Sequence, residues 1–195
     1  MTPITLDGFD AKFTDNADPW ATFTDADEAL KRSAILHAIG PGPMGRVLEV
    51  AAGNGSNSAA IAPRTLRLDA TEATASGTAL VARAIRFRGA RARASQLSVP
   101  GRLPRDRYDI VVVAELLYYL SPIAMAQTAR DVAAVLRPGG KLVLAHHRID
   151  FPDFAQHAAS IQHRFLAASG SAWRVRHVRQ TCHWSVLACR RVSAA

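Results

Sequence analysis

Four polar side chains close short apolar runs along this chain: Glu49, Glu72, Gln96 and Glu115. The first stands just before a turn of small residues, Ala51-Ala-Gly53-Asn-Gly55. A carboxylate at the end of an otherwise buried strand is costly unless it meets a positive charge or a hydrogen-bond donor. A glycine turn beside it lets a ligand approach the backbone closely, and the N–H groups of the next helix's first turn then face that ligand. Glu72 lies nineteen positions after Gly53, the spacing at which a carboxylate after a second strand reaches a ribose diol. Asp69 is the alternative in the same run, and inside a strand it would fall on the solvated edge. Gln96 reads either as an amide aimed at an adenine edge or as a polar strand end. In an open α/β sheet the ligand lies beyond the carboxyl ends of the strands, where strand order reverses, so these four positions converge on one crevice.

The elements that must position them are legible in order. Val47 to Val50 is a first strand, and a helix from about Asn57 stops at Pro63. A second strand covers Leu66 to Glu72, the next helix Ala75 to Arg88, and a third strand Ala90 to Leu97. Tyr108 to Glu115 is a β-branched run of the kind buried on both faces of a parallel sheet. Ser121-Pro122 supplies an N-cap and a first-turn proline for a helix to about Leu136, Pro138-Gly139-Gly140 closes it, and Lys141 to His146 is a fifth strand. Strict alternation of strand and helix predicts a doubly wound sheet. In the final third, Phe154, Ala158, Ile161 and Phe165 mark one helical face. Trp173 to Thr181 and His183 to Val192 then form a tightly connected, antiparallel pair. Near the start, Asp25 and Glu28 make a capping box, and Leu30, Ala34, Ile35 and Ala38 give a helical stripe that is placed to lie across the mouth of the site. Residues 1–24 read as a polar, turn-rich lead-in and 25–195 as a single domain.

At 195 residues and 49% hydrophobic the chain supports one substantial core. No run approaches the roughly 18 apolar positions of a membrane span, and Met-Thr-Pro-Ile-Thr-Leu-Asp lacks the features of a secretory leader, so a cytoplasmic protein is expected. The scattered histidines, with Cys182 and Cys189, form no metal-ligand spacing, and no metal is expected. Net charge is +8, but only Lys12, Lys31 and Lys141 of the 24 basic residues are lysines. The densest patch, Arg83 through Arg107, has few interleaved aromatics, so it reads as a solvated face and nucleic acid is not the expected partner.

With those residues in place, the chain resembles the class I S-adenosylmethionine-dependent methyltransferases. The resemblance is carried by Glu49-Val-Ala51-Ala-Gly53-Asn-Gly55, with Ala51 where a glycine is usual, by the acid Glu72, and by Gln96 where an Asp is commoner. Tyr108-Asp109, Leu136-Arg-Pro-Gly-Gly140 and the terminal strand pair extend it over most of the chain from Ile35 onward. It implies a Rossmann-like, doubly wound, mostly parallel seven-stranded sheet with a C-terminal antiparallel strand. It also implies S-adenosyl-L-methionine as cofactor, S-adenosyl-L-homocysteine as its product, and a cofactor site made by Trp20, Glu49, Ala51, Gly53, Gly55, Glu72, Gln96, Leu97 and Ala114. Asp18-Pro19-Trp20 and Val112-Val-Ala-Glu115-Leu-Leu-Tyr118-Tyr119-Leu120 narrow the resemblance to the nodulation protein S family, whose members act as N-methyltransferases on a deacetylated chitooligosaccharide. A dinucleotide-binding fingerprint, the nearest competitor, would need glycine at Ser58.

Methyl transfer from a sulfonium is an in-line displacement in which positioning does most of the work. An amine acceptor must be neutral, and a carboxylate within reach can hold it and accept its proton. Glu115 is the expected base, with a structural or cofactor-binding acid as the alternative role. Tyr118 offers a hydroxyl beside it, and Tyr118 and Tyr119 offer faces to an acceptor, one of the pair being needed for packing. Trp20 either closes over the site or anchors its segment. Of His146 and His147, alternation along the strand lets one face the crevice, and His146 is named as the acceptor contact. A small-molecule acceptor is expected; an RNA or protein acceptor, or a non-catalytic basic module on the same fold, is the alternative.

Overall fold

The computed structural model describes residues 2–192. In chain order its elements are α1 (Leu6–Asp15), α2 (Ala26–Ile39), β1 (Met44–Val50), α3 (Ser56–Ile61), β2 (Thr65–Glu72), α4 (Ala75–Ile85), β3 (Ala92–Gln96), β4 (Tyr108–Ala114), α5 (Pro122–Val135), β5 (Leu136–His147), α6 (Ile161–Ala168), β6 (Trp173–Gln180) and β7 (Trp184–Arg191). One seven-stranded sheet runs in the order β3-β2-β1-β4-β5-β7-β6. β1 to β5 are mutually parallel, while β7 runs antiparallel to both β5 and β6. This is the doubly wound sheet with a terminal antiparallel pair that the alternation predicts.

Each strand feeds two cores because successive side chains point to opposite faces. Val47, Leu68, Ile110, Val112, Val143 and Val186 pack under α2, α3 and α4. Leu48, Val50, Val111, Val113, Leu142 and Leu144 pack against α5 and α6. Val111, Val112 and Val113 are fully buried, as a central strand covered on both faces requires. Order reverses between β1 and β4, so the crevice opens where those two strands end, at the glycine turn and at Glu115.

Four segments depart from the sequence reading, the first being residues 136–140, which open β5 directly after α5 instead of forming a closing turn before a strand at Lys141. Residues 6–15, expected to be turn-rich, form α1, capped by the Thr5 hydroxyl oxygen, which accepts from Gly8 N. The face marked by Phe154 and Ala158 is not helical; α6 begins only at Ile161, after Ser160 in a left-handed conformation (φ 57°). Asp150 instead holds this stretch by accepting from Ala158 N at 2.6 Å, and the Tyr118 carbonyl accepts from Ala155 N and Gln156 N. Asp69 is not on a solvated edge: it is 6% exposed and accepts from Arg105 Nε and Tyr108 Oη, both at 3.0 Å.

The two glycines of the β1–α3 turn do different work. Gly53 (φ +61°) has only Phe13 within reach of an added Cβ, at 3.9 Å. At Gly55 (φ +84°) that Cβ would meet Ala84 Cβ at 2.9 Å and Val81 Cα at 3.0 Å, so this glycine lets α3 press against α4. Gly55→Ala is therefore expected to destabilise the fold by roughly 2–4 kcal/mol, from overpacking added to backbone strain. Gly53→Ala adds strain alone and should cost about half as much. Urea unfolding of the two variants measures the difference, and equal midpoints would contradict it.

Candidate functional site

The floor of the crevice is a strained turn. Ala51, Gly53 and Gly55 all take positive φ, of 53°, 61° and 84°, and non-glycine Ala51 there is a costly conformation. The turn is fastened to β2 by Ala52 N, which donates to the Thr71 carbonyl at 2.7 Å, and by Gly53 N, which donates to Glu72 Oε2 at 3.0 Å. The other oxygen of Glu72 accepts from Thr74 N and Thr74 Oγ1 at 3.1 and 3.2 Å. Burial pushes the Glu72 carboxyl above its ordinary range, against the hydrogen bonds from Thr74 and Gly53. Glu49, 1% exposed, accepts from the Ser58 hydroxyl, which explains why a serine stands where a dinucleotide fingerprint would have glycine.

Burial raises the Glu49 carboxyl to about 7, only partly offset by Ser58. The folded chain holds this proton up to about pH 7, whereas the unfolded chain releases it near the ordinary value of 4.5. Stability therefore falls as pH rises through that window, by roughly 3 kcal/mol from this residue. Glu49→Gln should flatten the dependence and raise the urea midpoint at pH 8. A variant no more stable than the parent at pH 8 would contradict the assignment.

The roof comes from the N-terminal segment. Asn54, in the glycine turn, donates through Nδ2 to Asp18 Oδ1 at 2.8 Å and to the Ala17 carbonyl at 3.2 Å. Thr22 donates to the same Asp18 oxygen from both its N and its hydroxyl. α1 is tied to α4 by Asp10, which accepts from Ser76 N and Ser76 Oγ at 3.0 and 2.6 Å. Further out, Thr2 N donates to the Pro152 carbonyl and Ile4 N to that of Asp153. Trp20 packs edge-on against Phe13, with ring centroids 5.4 Å apart, so it both anchors its segment and lines the cavity below.

On the other side, Glu115 follows β4 in a left-handed conformation (φ 51°), and its N donates to the Ala145 carbonyl at 2.9 Å. Its Oε1 accepts from Lys31 Nζ at 2.7 Å, and its Oε2 from the Tyr118 hydroxyl. Tyr118 is 1% exposed and stacked on Phe154 at 3.7 Å. Tyr119 meets Phe9 edge-on at 5.0 Å, and burial, with Asp153 and Glu115 nearby, pushes its hydroxyl pKa up.

Between floor, roof and this side lies a cavity of about 470 Å³. The charged side chains on its wall are Glu28, Glu49, Glu72, Glu115 and Asp153, with no Lys or Arg among the lining residues, in a chain whose net charge is +8. Trp20, Glu49, Ala51, Gly53, Glu72, Leu97, Ala114, Glu115, Tyr118 and Tyr119 all line it. Three predicted residues do not. Gly55 serves helix packing. Gln96 is exposed and donates its amide to the Ala73 carbonyl at 3.1 Å. His146 is fully buried on the α6 side, accepting from Leu117 N at 3.4 Å, and burial depresses its pKa to about 3; His147, on the opposite face of β5, lines the cavity in its place. Sequence reasoning missed Glu28, Lys31, Asn54, His147 and Phe154. Lys31 carried a readable signal: it falls on the Ala34, Ile35, Ala38 stripe, where a lysine inside an apolar face needs a partner.

Residues 47–140 match the family model described as a methyltransferase domain. In three dimensions, 95% of the chain superposes on 97% of the N-methyltransferase NodS from Bradyrhizobium japonicum WM9, solved with S-adenosyl-L-homocysteine, with a TM-score of 0.80 and 18% identity. This chain has the class I methyltransferase fold. The same methyltransferase fold relates it to DhpI, solved with S-adenosylmethionine, at a TM-score of 0.70 and 18% identity over 95% of each chain. In sequence it is 31% identical to nodulation protein S of Sinorhizobium fredii over 134 residues, which make up 65% of this chain. The match spans 59% of that relative's length. Among the described residues, no helix is long and apolar enough to cross a membrane.

Proposed function

We propose that the chain is an S-adenosylmethionine-dependent methyltransferase acting on a small molecule through an amine. The observation that carries this reading is the wall of carboxylates around a cavity that joins the glycine turn to Glu115. A cationic sulfonium and an amine both favour a site whose wall carries carboxylates in excess, here offset only by Lys31 behind Glu28 and Glu115. The residues fit the cofactor in this reading: Glu72 is the ribose-diol contact, Gly53 leaves its turn open toward the cavity, and Glu49, held protonated up to about pH 7, shapes the floor beside the turn. When bound, S-adenosylmethionine supplies a methyl carbon already activated on sulfur.

The chain's own residues supply geometry and a proton acceptor. The strained turn presents its backbone without moving. Trp20, Phe9 and Phe13 exclude water from above, which sharpens every electrostatic contact below. Glu115 Oε2, with the Tyr118 hydroxyl, holds the amine so that its lone pair faces the cavity, and takes the proton released as the nitrogen gains its methyl group. The N-methyltransferase description of the Bradyrhizobium relative supports nitrogen as the atom methylated. Residues 25–195 form the catalytic domain in this proposal, and an amino sugar or deacetylated chitooligosaccharide is the acceptor class to try first.

Calorimetric titration with S-adenosyl-L-homocysteine, with NAD as control, tests the cofactor half. Micromolar binding to the first and none to the second is expected; the reverse would end the reading. The acceptor half is tested by mass spectrometry of methyl transfer to deacetylated chitotetraose and a panel of amines and alcohols. Transfer confined to the alcohols would overturn the amine assignment.

A further inference from the structure

We propose that Lys31 is a positioning residue for the acceptor side of the site, holding the Glu115 side chain aimed, with Glu28 and His147 as its other partners. The inference rests on the methyltransferase reading for its functional consequence and on geometry for everything else.

Lys31 is 3% exposed, and a buried ammonium is strongly unfavourable unless its protons are matched by acceptors. It has three acceptors in reach: Glu28 Oε1 at 2.6 Å, Glu115 Oε1 at 2.7 Å and His147 Nε2 at 3.5 Å. Burial works to discharge Lys31, but the Glu115 and Glu28 carboxylates outweigh it and hold its pKa above the ordinary lysine value. The ammonium is therefore permanent. It occupies one oxygen of Glu115 and leaves the other, shared with the Tyr118 hydroxyl, for the acceptor. Ala34, Ile35 and Ala38, on the same face of α2, are buried and keep the lysine from turning away.

The arrangement also dictates a tautomer. Nε2 of His147 lies 3.5 Å from Lys31 Nζ, 3.7 Å from Glu115 Oε2 and 4.0 Å from Glu28 Oε1. An ammonium can only donate, so where the Lys31 contact forms Nε2 accepts it and the proton of the neutral ring sits on Nδ1, a buried nitrogen with no hydrogen-bond partner among the described residues. Without Lys31 the same nitrogen would face two carboxylates and would have to become a donor. The other ionisable groups near this cluster are Tyr118 and Tyr119 after β4, Asp153 in the loop after β5 and, on the opposite face of β5, His146.

The test is long-range proton–nitrogen NMR of histidine-labelled protein, with and without S-adenosyl-L-homocysteine. In the parent chain, His147 Nε2 should give the resonance of an unprotonated ring nitrogen. In Lys31→Met it should become protonated, and Lys31→Arg should restore the parent signal. A protonated Nε2 in the parent, or an unchanged signal in a folded Lys31→Met, overturns the proposal; the parent spectrum decides by itself if that variant fails to fold. In transfer to deacetylated chitotetraose, Lys31→Met should lower kcat at least tenfold with the KM for S-adenosylmethionine unchanged, and Lys31→Arg should recover most of it. Equal kcat in all three proteins would also overturn the proposal. Failure of the parent to bind the homocysteine product would instead sink the methyltransferase reading, leaving the nitrogen spectra to decide the role of Lys31.

Discussion

Glu115→Gln is expected to lower methyl transfer to an amine by about 10²–10⁴-fold, the range for removing a positioned general base. Affinity for S-adenosyl-L-homocysteine should change by less than threefold, because the substitution preserves shape and lies on the acceptor side. Glutamine keeps one acceptor oxygen for Lys31, while its amide nitrogen has to donate to the Tyr118 hydroxyl, which reverses that contact but leaves the side chain, and with it the strained backbone at this position (φ 51°), tethered at both ends. What disappears is the capacity to take a proton. Lys31 retains Glu28 as a counter-charge at 2.6 Å, so the fold should survive, with a melting temperature lower by only a few degrees. Steady-state rates measured beside product-binding calorimetry separate the outcomes. A variant with more than a tenth of the parent rate would mean that Glu115 is a structural acid, the alternative its sequence position left open.

The second large effect is expected at Glu72. Replacing it with Ala should weaken product binding by about 10²–10⁴-fold, since hydrogen bonds to a charged group contribute roughly 1.5–3 kcal/mol each and a ribose diol makes two. The same carboxylate holds Gly53 N and Thr74 N, so its loss also loosens the turn that carries Ala51. Glu72→Gln should fall in between, because one acceptor oxygen survives. Calorimetry reads both effects as changes in Kd. A Kd for the alanine variant within threefold of the parent would place the ribose contact elsewhere in the cavity.

What was legible beforehand and what was not divides along a physical line. The strands of the parallel core announce themselves because burial on both faces demands continuous β-branched runs, and Tyr108 to Ala114 has one. Caps such as Asp25 and Ser121 are local chemistry and emerged where the sequence places them. The carboxylates at strand ends could be placed because the topology puts every such end on one side of the sheet. The roof, by contrast, is held by contacts distant along the chain. α1 has Phe9 and Phe13 on one face, but Asp7, Gly8 and Asp10 break its apolar pattern, and its docking depends on Ser76, sixty-six positions away. The Phe154 to Phe165 spacing looked helical because periodicity cannot register that Asp150 and the Tyr118 carbonyl had claimed the backbone first. His146 and His147 were separable only by knowing which face of β5 meets α6 and which meets α2.

Thr2 and Ile4 pair with the backbone at Pro152 and Asp153, which gives the site a particular order of birth. A ribosome delivers the N-terminal segment first; Asp18 and Asp10 find Asn54 and Ser76 early, but Thr2 and Ile4 have no partner until about 150 further residues have been made. The Rossmann-like floor through β4 can assemble while synthesis continues, whereas the covered cavity comes into being only near its end. A nascent or prematurely stopped chain would therefore present an open, less covered crevice where β1 and β4 end.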